Sequence, residues 1–247
     1  IKSTKLLEGS KPQKGKLKTI EYLFRFLDSY NFASEGTEEE QEDRKALINA
    51  SVLGLIFEKI NGYKDGSFFT PGFITMYMCR ETLRRAVVQK FNEKYNLKCE
   101  DFGDLKNHLM DKKGKKEIII SNQVIDDIKI CDPAVGSGHF LVSALNELIA
   151  IKSELGILAD NGERIPVNIS VENDELMVMD GDNIFEYRAP VGKNYDKVKQ
   201  QIQKTLFHEK EKLIENCLFG VDINGNSVKI CRLRLWIELL KNTYYTV

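Results

Sequence analysis

The sequence has few features of secreted or membrane-inserted proteins. Its five cysteines form no CxxC pair and show no spacing that suits zinc or a disulfide framework. No apolar run approaches the ~20 residues that a membrane-spanning helix needs, and no signal peptide is recognisable. The three histidines lie far apart along the chain, so no metal site is predicted. We therefore expect a reduced, cytoplasmic protein with no membrane partner.

An excess of charge of one sign is absent as well. The chain carries 36 lysines and arginines against 37 aspartates and glutamates, a net charge of −1, which does not by itself indicate nucleic-acid binding. The charges are clustered, with lysines over residues 1–20, acids over 35–43 and a second lysine run over 112–116. Such runs are usually solvated faces, and contact with phosphates is the alternative.

One segment, Ile128–Phe140, carries the strongest functional signal. Its sequence IKICDPAVGSGHF places a short apolar strand before a Gly-Ser-Gly turn, and a helical pattern follows. Open α/β sheets use this arrangement to present backbone amides to a ligand at the carboxyl end of a strand. A dinucleotide fingerprint would need a third glycine where Leu141 stands, and no phosphate-loop motif is present. An ordinary strand-to-helix turn is the remaining alternative.

The sequence of this segment resembles the first motif of adenine-N6 DNA methyltransferases, which bind S-adenosylmethionine. The resemblance implies that Gly136 and Gly138 let the backbone turn sharply beside the cofactor, where a Cβ would collide. It also implies that Asp132 accepts a hydrogen bond from the cationic amino group of the methionine moiety. The implied cofactor residues of this segment are Asp132, Pro133, Ala134, Gly136, Gly138 and Phe140.

Two further segments stand where this family has its other cofactor motifs. Phe69-Thr70-Pro71 resembles the motif that precedes the methyltransferase core and closes over the methionine end of the cofactor. The same residues also predict an ordinary helix start, with Thr70 as N-cap and Pro71 at the first helical position, and both interpretations can hold together. Downstream, an apolar strand ends at Asp222, which we assign to the ribose hydroxyls. Ile223 would then pack beside the adenine ring.

Over residues 45–247 the sequence is similar to type IIG and related type II restriction–modification polypeptides. In those proteins a nuclease, a helical connector, an adenine methyltransferase and a target-recognition domain share one chain. The implied partners are therefore double-stranded DNA and the remaining domains of a parent polypeptide. Val135 and Gly225 stand where cysteine and proline are common in the family, but neither change removes a polar group that the cofactor needs.

The catalytic Asn/Asp-Pro-Pro-Tyr/Phe motif of this family is missing from the sequence. In the family, that motif accepts hydrogen bonds from the adenine amino group and stacks on a base flipped out of the duplex. We therefore expect an internal fragment, truncated before the motif, that holds most of the cofactor site and has no methyltransferase activity alone. No catalytic residue is predicted. The alternative is a non-catalytic scaffold that connects a nuclease to a DNA-recognition domain.

The predicted fold is α/β: an incomplete Rossmann-like S-adenosylmethionine-dependent methyltransferase core, preceded by a mostly helical domain. We expect a flexible lead-in over residues 1–18, a helical connector over 19–122 and the amino-terminal half of the core over 123–247. An insertion at about 156–195 shows three short strand patterns separated by Asn-Asp and Gly-Asp turns. It is predicted to form a decorating β-hairpin without a ligand role, and contact with a substrate or partner is the alternative.

Apolar periodicity and turn residues place the individual elements. Sheet strands are predicted over residues 127–132 and 218–224, Lys112–Lys116 is predicted to be a loop, and Cys131 and Cys217 are expected to be buried thiols. The predicted helices cover residues 20–27, about 35–60, 71–95, 101–110, 138–154, 196–216 and 227–240.

Overall fold

The computed structural model describes residues 70–110, 114–187 and 196–245, together with residues 7–8, 11–12, 18, 21, 30–31 and 46–47. Its contacts divide the chain into two compact units, Ile1–Ile56 and Phe57–Val247. Among the described residues of the first unit are two short strand pairs. The antiparallel pair is β1 (Leu7–Glu8) with β2 (Lys11–Pro12), and the parallel pair is β3 (Tyr30–Asn31) with β4 (Ala46–Leu47).

The described part of the second unit begins with three helices, α1 (Gly72–Tyr95), α2 (Phe102–Met110) and α3 (Lys115–Asp126). One face of α1 is buried, including Leu83, Val87 and Phe91, because helical spacing brings such residues onto one side. The C-cap residue of α1 is Asn96, which adopts the left-handed conformation with φ 52°, a conformation that asparagine tolerates better than most residues.

Strand β5 (Ile130–Asp132) follows α3 and leads through the glycine turn into helix α4 (His139–Glu154). Helix α4 is the centre of the unit, since every residue from Leu141 to Lys152 is buried. A helix buried on all sides must be covered by several neighbours. Helix α1 packs extensively against α4, and α1 also contacts α2 and α3.

The predicted insertion is a set of short antiparallel strands. Strand β6 (Ala159–Asp160) pairs with β7 (Glu163–Arg164), and a three-stranded sheet has the order β10 (Asn183–Ile184), β9 (Glu175–Asp180), β8 (Asn168–Glu172). The predicted Asn173-Asp174 and Gly181 turns are confirmed by positive φ angles of 50°, 66° and 64°. Strand β8 packs on α4 and buries Ile169 there.

Helix α5 (Lys197–Asn216) returns the chain to the core, followed by β11 (Leu218–Gly220) and helix α6 (Gly225–Leu240). The side chain of Asp196 caps α5 by accepting hydrogen bonds from the Val198 and Lys199 amides. Strand β11 pairs parallel with β5, so that Gly220 lies opposite Asp132. A parallel pair needs a long crossover, which here consists of α4, the insertion and α5.

A buried ion pair fastens α4 to α5. Lys152 is fully buried, and its ammonium group donates hydrogen bonds to Glu209 at 2.6 Å and to Asp126 at 2.5 Å. Burial alone would raise the pKa of Glu209, but the adjacent Lys152 and Lys212 ammonium groups outweigh burial and hold that pKa below its usual range. No helix in the described ranges is both long and apolar enough to cross a membrane.

Several predicted elements differ from the structure. Lys115 and Lys116 form the first turn of α3 rather than a loop, because an apolar face that includes Ile118 and Ile125 buries this segment as a helix behind its solvated lysines. Both sheet strands are shorter than predicted, covering 130–132 and 218–220. In the first unit, β1 and β2 lie in the predicted lead-in, and β4 lies where a helix was predicted. Of the predicted helices over 20–27 and 35–60, the structure describes only Glu21 and Ala46–Leu47. The other residues of these two helices lie outside the described residues.

The two cysteines near the sheet have different environments. Cys217 is buried, as predicted, whereas Cys131 is exposed, so the prediction for that thiol is wrong. Strand alternation places the Cys131 side chain on the same sheet face as its cross-strand neighbour Phe219, which is itself 45% exposed, so this face is accessible to solvent at both positions. Helices α1 to α3 share a compact unit with the sheet, and the division of the chain between residues 122 and 123 stays a prediction.

Candidate functional site

The candidate site lies at the carboxyl edge of the β5–β11 pair. The hydrogen-bond ladder continues past both strands, since the Asp132 carbonyl accepts from the Val221 amide at 2.9 Å and the Val221 carbonyl accepts from the Val135 amide at 2.9 Å. Asp222 follows directly after this ladder. The fold therefore brings Asp132, the glycine turn and Asp222 to one edge, which is where open α/β sheets bind ligands.

Both glycines of the turn adopt left-handed conformations, with φ 52° at Gly136 and 88° at Gly138. The predicted sharp turn is confirmed, because side-chain-bearing residues rarely adopt these angles. At Gly138 an added Cβ would lie 2.7 Å from Cys231 Sγ and 3.3 Å from Cys231 Cα. Helix α6 therefore packs so closely on Gly138 that glycine is required there with or without a ligand, a reason that sequence reasoning missed.

Asp222 ties the end of β11 to the glycine turn. Its Oδ2 accepts a hydrogen bond from the Gly136 amide at 2.8 Å, and its Oδ1 accepts one from the Asn224 amide at 2.7 Å. A carboxylate offers about four acceptor positions, so these two bonds leave capacity for ligand hydroxyls. Asp222 thus has a bracing role that was not predicted, beside the ribose role that stays a prediction.

Asp132 shapes the first half of the turn. Its Oδ1 accepts a hydrogen bond from the Ala134 amide at 3.0 Å, while the carboxylate remains partly exposed at the sheet edge. Pro133 and Ala134 are exposed, and Phe140 is only partly buried, packing against the core. The Asp132 carboxylate is therefore anchored on one side and accessible to a ligand.

A buried arginine supports the turn from α6. Arg234 is 1% exposed, and its Nη1 donates hydrogen bonds to the Ser137 carbonyl at 3.3 Å and the Ser137 hydroxyl at 3.4 Å. Sequence reasoning missed this residue. Its burial follows from the helical face that it shares with the other buried positions of α6, which include Ser227, Cys231 and Glu238.

The start of α1 carries the Thr-Pro motif. Pro71 occupies the N-cap position and no side chain caps the helix, so the prediction of Thr70 as N-cap is wrong. The reason is the extended backbone of Pro71, with ψ 142°, whose carbonyl accepts the first helical hydrogen bonds from Ile74 and Thr75. Phe69 lies outside the described residues.

The first turns of helix α1 contact helix α4, which follows the glycine turn. The Thr75 and Ser143 hydroxyl oxygens lie 2.8 Å apart, and Cys79 Sγ donates to the Phe140 carbonyl at 3.6 Å. Burial, then the charges of Asp174, Glu147 and Asp132, raises the pKa of Cys79 to about 12, so Asp132 lies within electrostatic reach of α1. The expected approach of Thr70 to Asp132 itself stays a prediction.

Apolar side chains beside Asp222 are open to solvent. Val221 is 60% exposed and Ile223 is fully exposed, so each offers an apolar surface to a ligand ring next to the carboxylate. Within the described ranges, no group of three or more histidine, cysteine, aspartate and glutamate side chains is placed to hold a metal ion. The chemistry of the edge is therefore that of carboxylate acceptors, backbone amides and apolar contacts.

The chain is similar to a protein of Methanocaldococcus jannaschii named "Putative type II restriction enzyme and methyltransferase". The two are 30% identical over 239 residues, which cover 89% of this chain. The similarity is to a restriction and modification protein. This chain spans only 16% of that relative's length. A family described as a domain of unknown function (DUF7814) matches residues 1–48, within the first unit. No solved structure matches the chain.

Proposed function

We propose that this chain is the S-adenosylmethionine-binding part of a site-specific adenine-N6 DNA methyltransferase in a restriction–modification system. The observation that carries the proposal is the convergence of Asp132, the Gly136–Gly138 turn and Asp222 at one sheet edge. The similarity to a protein named as a restriction enzyme and methyltransferase supports it. In this proposal β5, α4, β11 and α6 belong to a Rossmann-like methyltransferase core.

The groups at the edge match the chemistry of this cofactor. Asp132 offers a partly exposed carboxylate to the amino group of the methionine moiety, and Asp222 has acceptor positions left for the two ribose hydroxyls. The exposed Ile223 offers an apolar contact to the adenine ring. When bound, the cofactor would supply an activated methyl group on its sulfonium.

The work of this chain would be binding and orientation. Asp222 fixes the Gly136 amide, so the same side chain would align the turn and the ribose. Such alignment matters because methyl transfer requires the acceptor nitrogen in line with the methyl group, and positioning is a large part of catalysis. Thr70 and Pro71 would close over the methionine end from the start of α1.

The target adenine would be bound by another part of the polypeptide, because this sequence contains no Asn/Asp-Pro-Pro-Tyr/Phe motif. Double-stranded DNA would accordingly be a partner of the complete protein rather than of this chain alone. We propose no catalytic residue among residues 1–247. The purified chain is expected to transfer no labelled methyl group to DNA.

Methyl transfer by the natural polypeptide that contains these residues tests the proposal. Labelled S-adenosylmethionine and DNA are expected to give N6-methyladenine in the digested product. Gly136→Ala should lower transfer by roughly tenfold, since alanine at φ 52° costs about 1–2 kcal/mol and its relief would move the turn amides. Gly181→Ala is the matched control, because Gly181 has φ 64° in an open turn of the insertion. Methylcytosine as the product would overturn the adenine assignment, and bound cofactor without any transfer would favour the scaffold alternative.

A further inference from the structure

The tip of the insertion is buried between α1 and α4. Asp174, in the β8–β9 turn, is 7% exposed, and its carbonyl accepts a hydrogen bond from Asn146 Nδ2 of α4 at 2.8 Å. Its amide points at Met76 Sδ of α1, also at 2.8 Å. A hairpin that only decorates the surface would keep its turn residues in solvent, so this turn contributes to the junction of the two helices.

A chain of hydroxyl groups joins the Asp174 carboxyl to the first residue of α1. Asp174 Oδ1 lies 2.7 Å from Ser143 Oγ, which lies 2.8 Å from Thr75 Oγ1. Thr75 Oγ1 lies in turn 2.8 Å from the Gly72 carbonyl oxygen. This hydrogen-bond chain therefore ends two residues from Thr70. It links the insertion, helix α4 and the Thr-Pro motif.

This hydrogen-bond chain needs one more proton than its two hydroxyl groups supply. It contains three hydrogen-bonding contacts, but the Ser143 and Thr75 hydroxyls supply only two protons, and the Gly72 carbonyl can only accept. The Asp174 carboxyl, when neutral, supplies the third proton. When Asp174 is ionised, the Ser143 hydroxyl donates to it, and the single Thr75 proton can serve either the Gly72 carbonyl or Ser143 but not both, so one of these two bonds is lost.

We propose that Asp174 is a positioning residue whose neutral carboxyl completes this hydrogen-bond chain and so holds the first turn of α1 against α4. Placement of the Thr-Pro motif would then depend on pH through a residue of the insertion. The consequence for cofactor binding rests on the proposed function, whereas the positioning of α1 does not.

The surroundings of Asp174 favour the neutral form in mildly acidic solution. Burial raises the pKa of the Asp174 carboxyl to about 6, and the charge of Glu238 also raises it. The Ser143 hydrogen bond and the neighbouring Arg234 and His139 oppose this shift. The titratable or charged groups that face it are Cys79 on α1, His139 on α4, Arg234 and Glu238 on α6, and the neighbouring Glu175 on β9.

The sign of the pH effect follows from this pKa. A folded-state pKa raised above the ordinary 3.8 means that the folded chain holds the proton more tightly than the unfolded chain. The stabilising contribution of the neutral carboxyl is therefore fully present below the ordinary pKa of 3.8 and is lost as pH rises through about 6. Above that pH, the first turn of α1 is held by one hydrogen bond fewer.

Carboxyl-carbon NMR of the full chain, labelled at aspartate, tests the proton directly. Asp174 is expected to titrate near pH 6, and a midpoint near the ordinary value of 3.8 would overturn the proposal. This measurement needs no substitution, so it decides even if a variant fails to fold.

Amide exchange of residues 74–78 tests the positioning. In the native chain, protection corrected for intrinsic rates should fall as pH rises from 5 to 7.5. Asp174→Asn should stay equally protected, because its amide is neutral at every pH and can donate to Ser143. Asp182→Asn, an exposed aspartate in the neighbouring hairpin turn, is the matched control and should behave as the native chain. Identical pH dependence in native and Asp174→Asn chains would contradict the proposal.

Cofactor affinity separates this proposal from the proposed function. Calorimetry should show S-adenosylmethionine binding more weakly at pH 7.5 than at pH 5.5, by roughly twofold to tenfold for one lost hydrogen bond. Asp174→Asn should remove that difference, and an unchanged difference would overturn the role of Asp174 at the site. If no cofactor binds at either pH, the proposed function fails, and the NMR titration and amide exchange still decide whether Asp174 positions α1.

Discussion

The Asp222 carboxylate and the Gly136 amide are joined by a 2.8 Å hydrogen bond across 86 positions of sequence. The bond connects the end of β11 to the turn after β5, so two strand ends and the glycine turn form one structural unit. No local preference can bring these groups together, because parallel strands meet only through a long crossover. The geometry of the site therefore depends on the folding of the whole crossover through α4, the insertion and α5.

Replacing Asp222 by alanine is expected to expose the Gly136 amide to hydrogen exchange. A hydrogen bond to a charged group is worth about 1.5–3 kcal/mol, which corresponds to a loss of protection of roughly tenfold to a hundredfold. NMR exchange at Gly136 measures it without any ligand. Asp182→Ala, in an exposed turn, should leave Gly136 unaffected. Equal protection in the native and Asp222→Ala chains would show that another contact holds the turn.

Gly138→Ala is expected to lower the free energy of unfolding more than Gly181→Ala does. Both positions have positive φ, 88° and 64°, and left-handed strain costs about 1–2 kcal/mol for a residue with a Cβ. Only at Gly138 does the new Cβ also collide with Cys231, which adds about 1–3 kcal/mol of overpacking.

Urea unfolding of the two glycine variants measures the difference. Adding Cys231→Ala to Gly138→Ala should recover part of the loss, because it removes the Sγ atom that would lie 2.7 Å from the new Cβ. Losses of the same size in Gly138→Ala and Gly181→Ala would mean that α6 does not constrain this glycine.

Lys152→Met is expected to cost up to about 3–5 kcal/mol, because it removes the buried counter-ion of Glu209 and leaves only the half-exposed Lys212 ammonium beside that carboxylate. Lys115→Met is the matched control. Its exposed pair with Glu163, at 3.3 Å, should contribute under about 1 kcal/mol. A loss at Lys152 no larger than at Lys115 would contradict the structural importance of the buried pair.

The pH dependence of the Lys152 variant has a definite sign. In the native chain the lowered pKa of Glu209 stabilises the fold above its ordinary value of 4.5, and this contribution is lost as pH falls. Without Lys152 only Lys212 opposes the effect of burial, so that pKa is higher than in the native chain, and the destabilisation should be largest at neutral pH and shrink in acid. Urea unfolding at pH 4.5 and pH 7 checks this, and a loss that does not change with pH would contradict it.

Local sequence signals predicted much of the second unit. The segment from Ile128 to Phe140 predicted a strand, a turn and a helix. Such a prediction was possible because the turn glycines and the apolar spacing of the helix are local properties of the sequence. The Asn173-Asp174 turn could be found for the same reason, since asparagine and aspartate tolerate positive φ. Helices α1, α2, α4, α5 and α6 lie within two residues of their predicted bounds.

Contacts between distant residues could not be predicted in the same way. The Asp222 bond to Gly136 and the Ser143 bond to Thr75 depend on how elements pack, and serine or threonine in a helix gives no sign of its partner. Arg234 resembles any surface arginine until the face that it shares with Cys231 is seen to be buried. Asp174 was predicted as an ordinary turn residue, because its burial results from docking onto α4.

The most direct test of the proposed site is the affinity of the natural polypeptide for S-adenosylmethionine, measured by calorimetry in the native form and in Asp222→Ala. The native protein is expected to bind, and Asp222→Ala should bind roughly tenfold more weakly or worse, because a hydrogen-bond acceptor with full charge is lost. Asp182→Ala should bind as the native protein does. Equal affinity in the native and Asp222→Ala proteins, or no binding by the native protein, would contradict a cofactor site at this sheet edge.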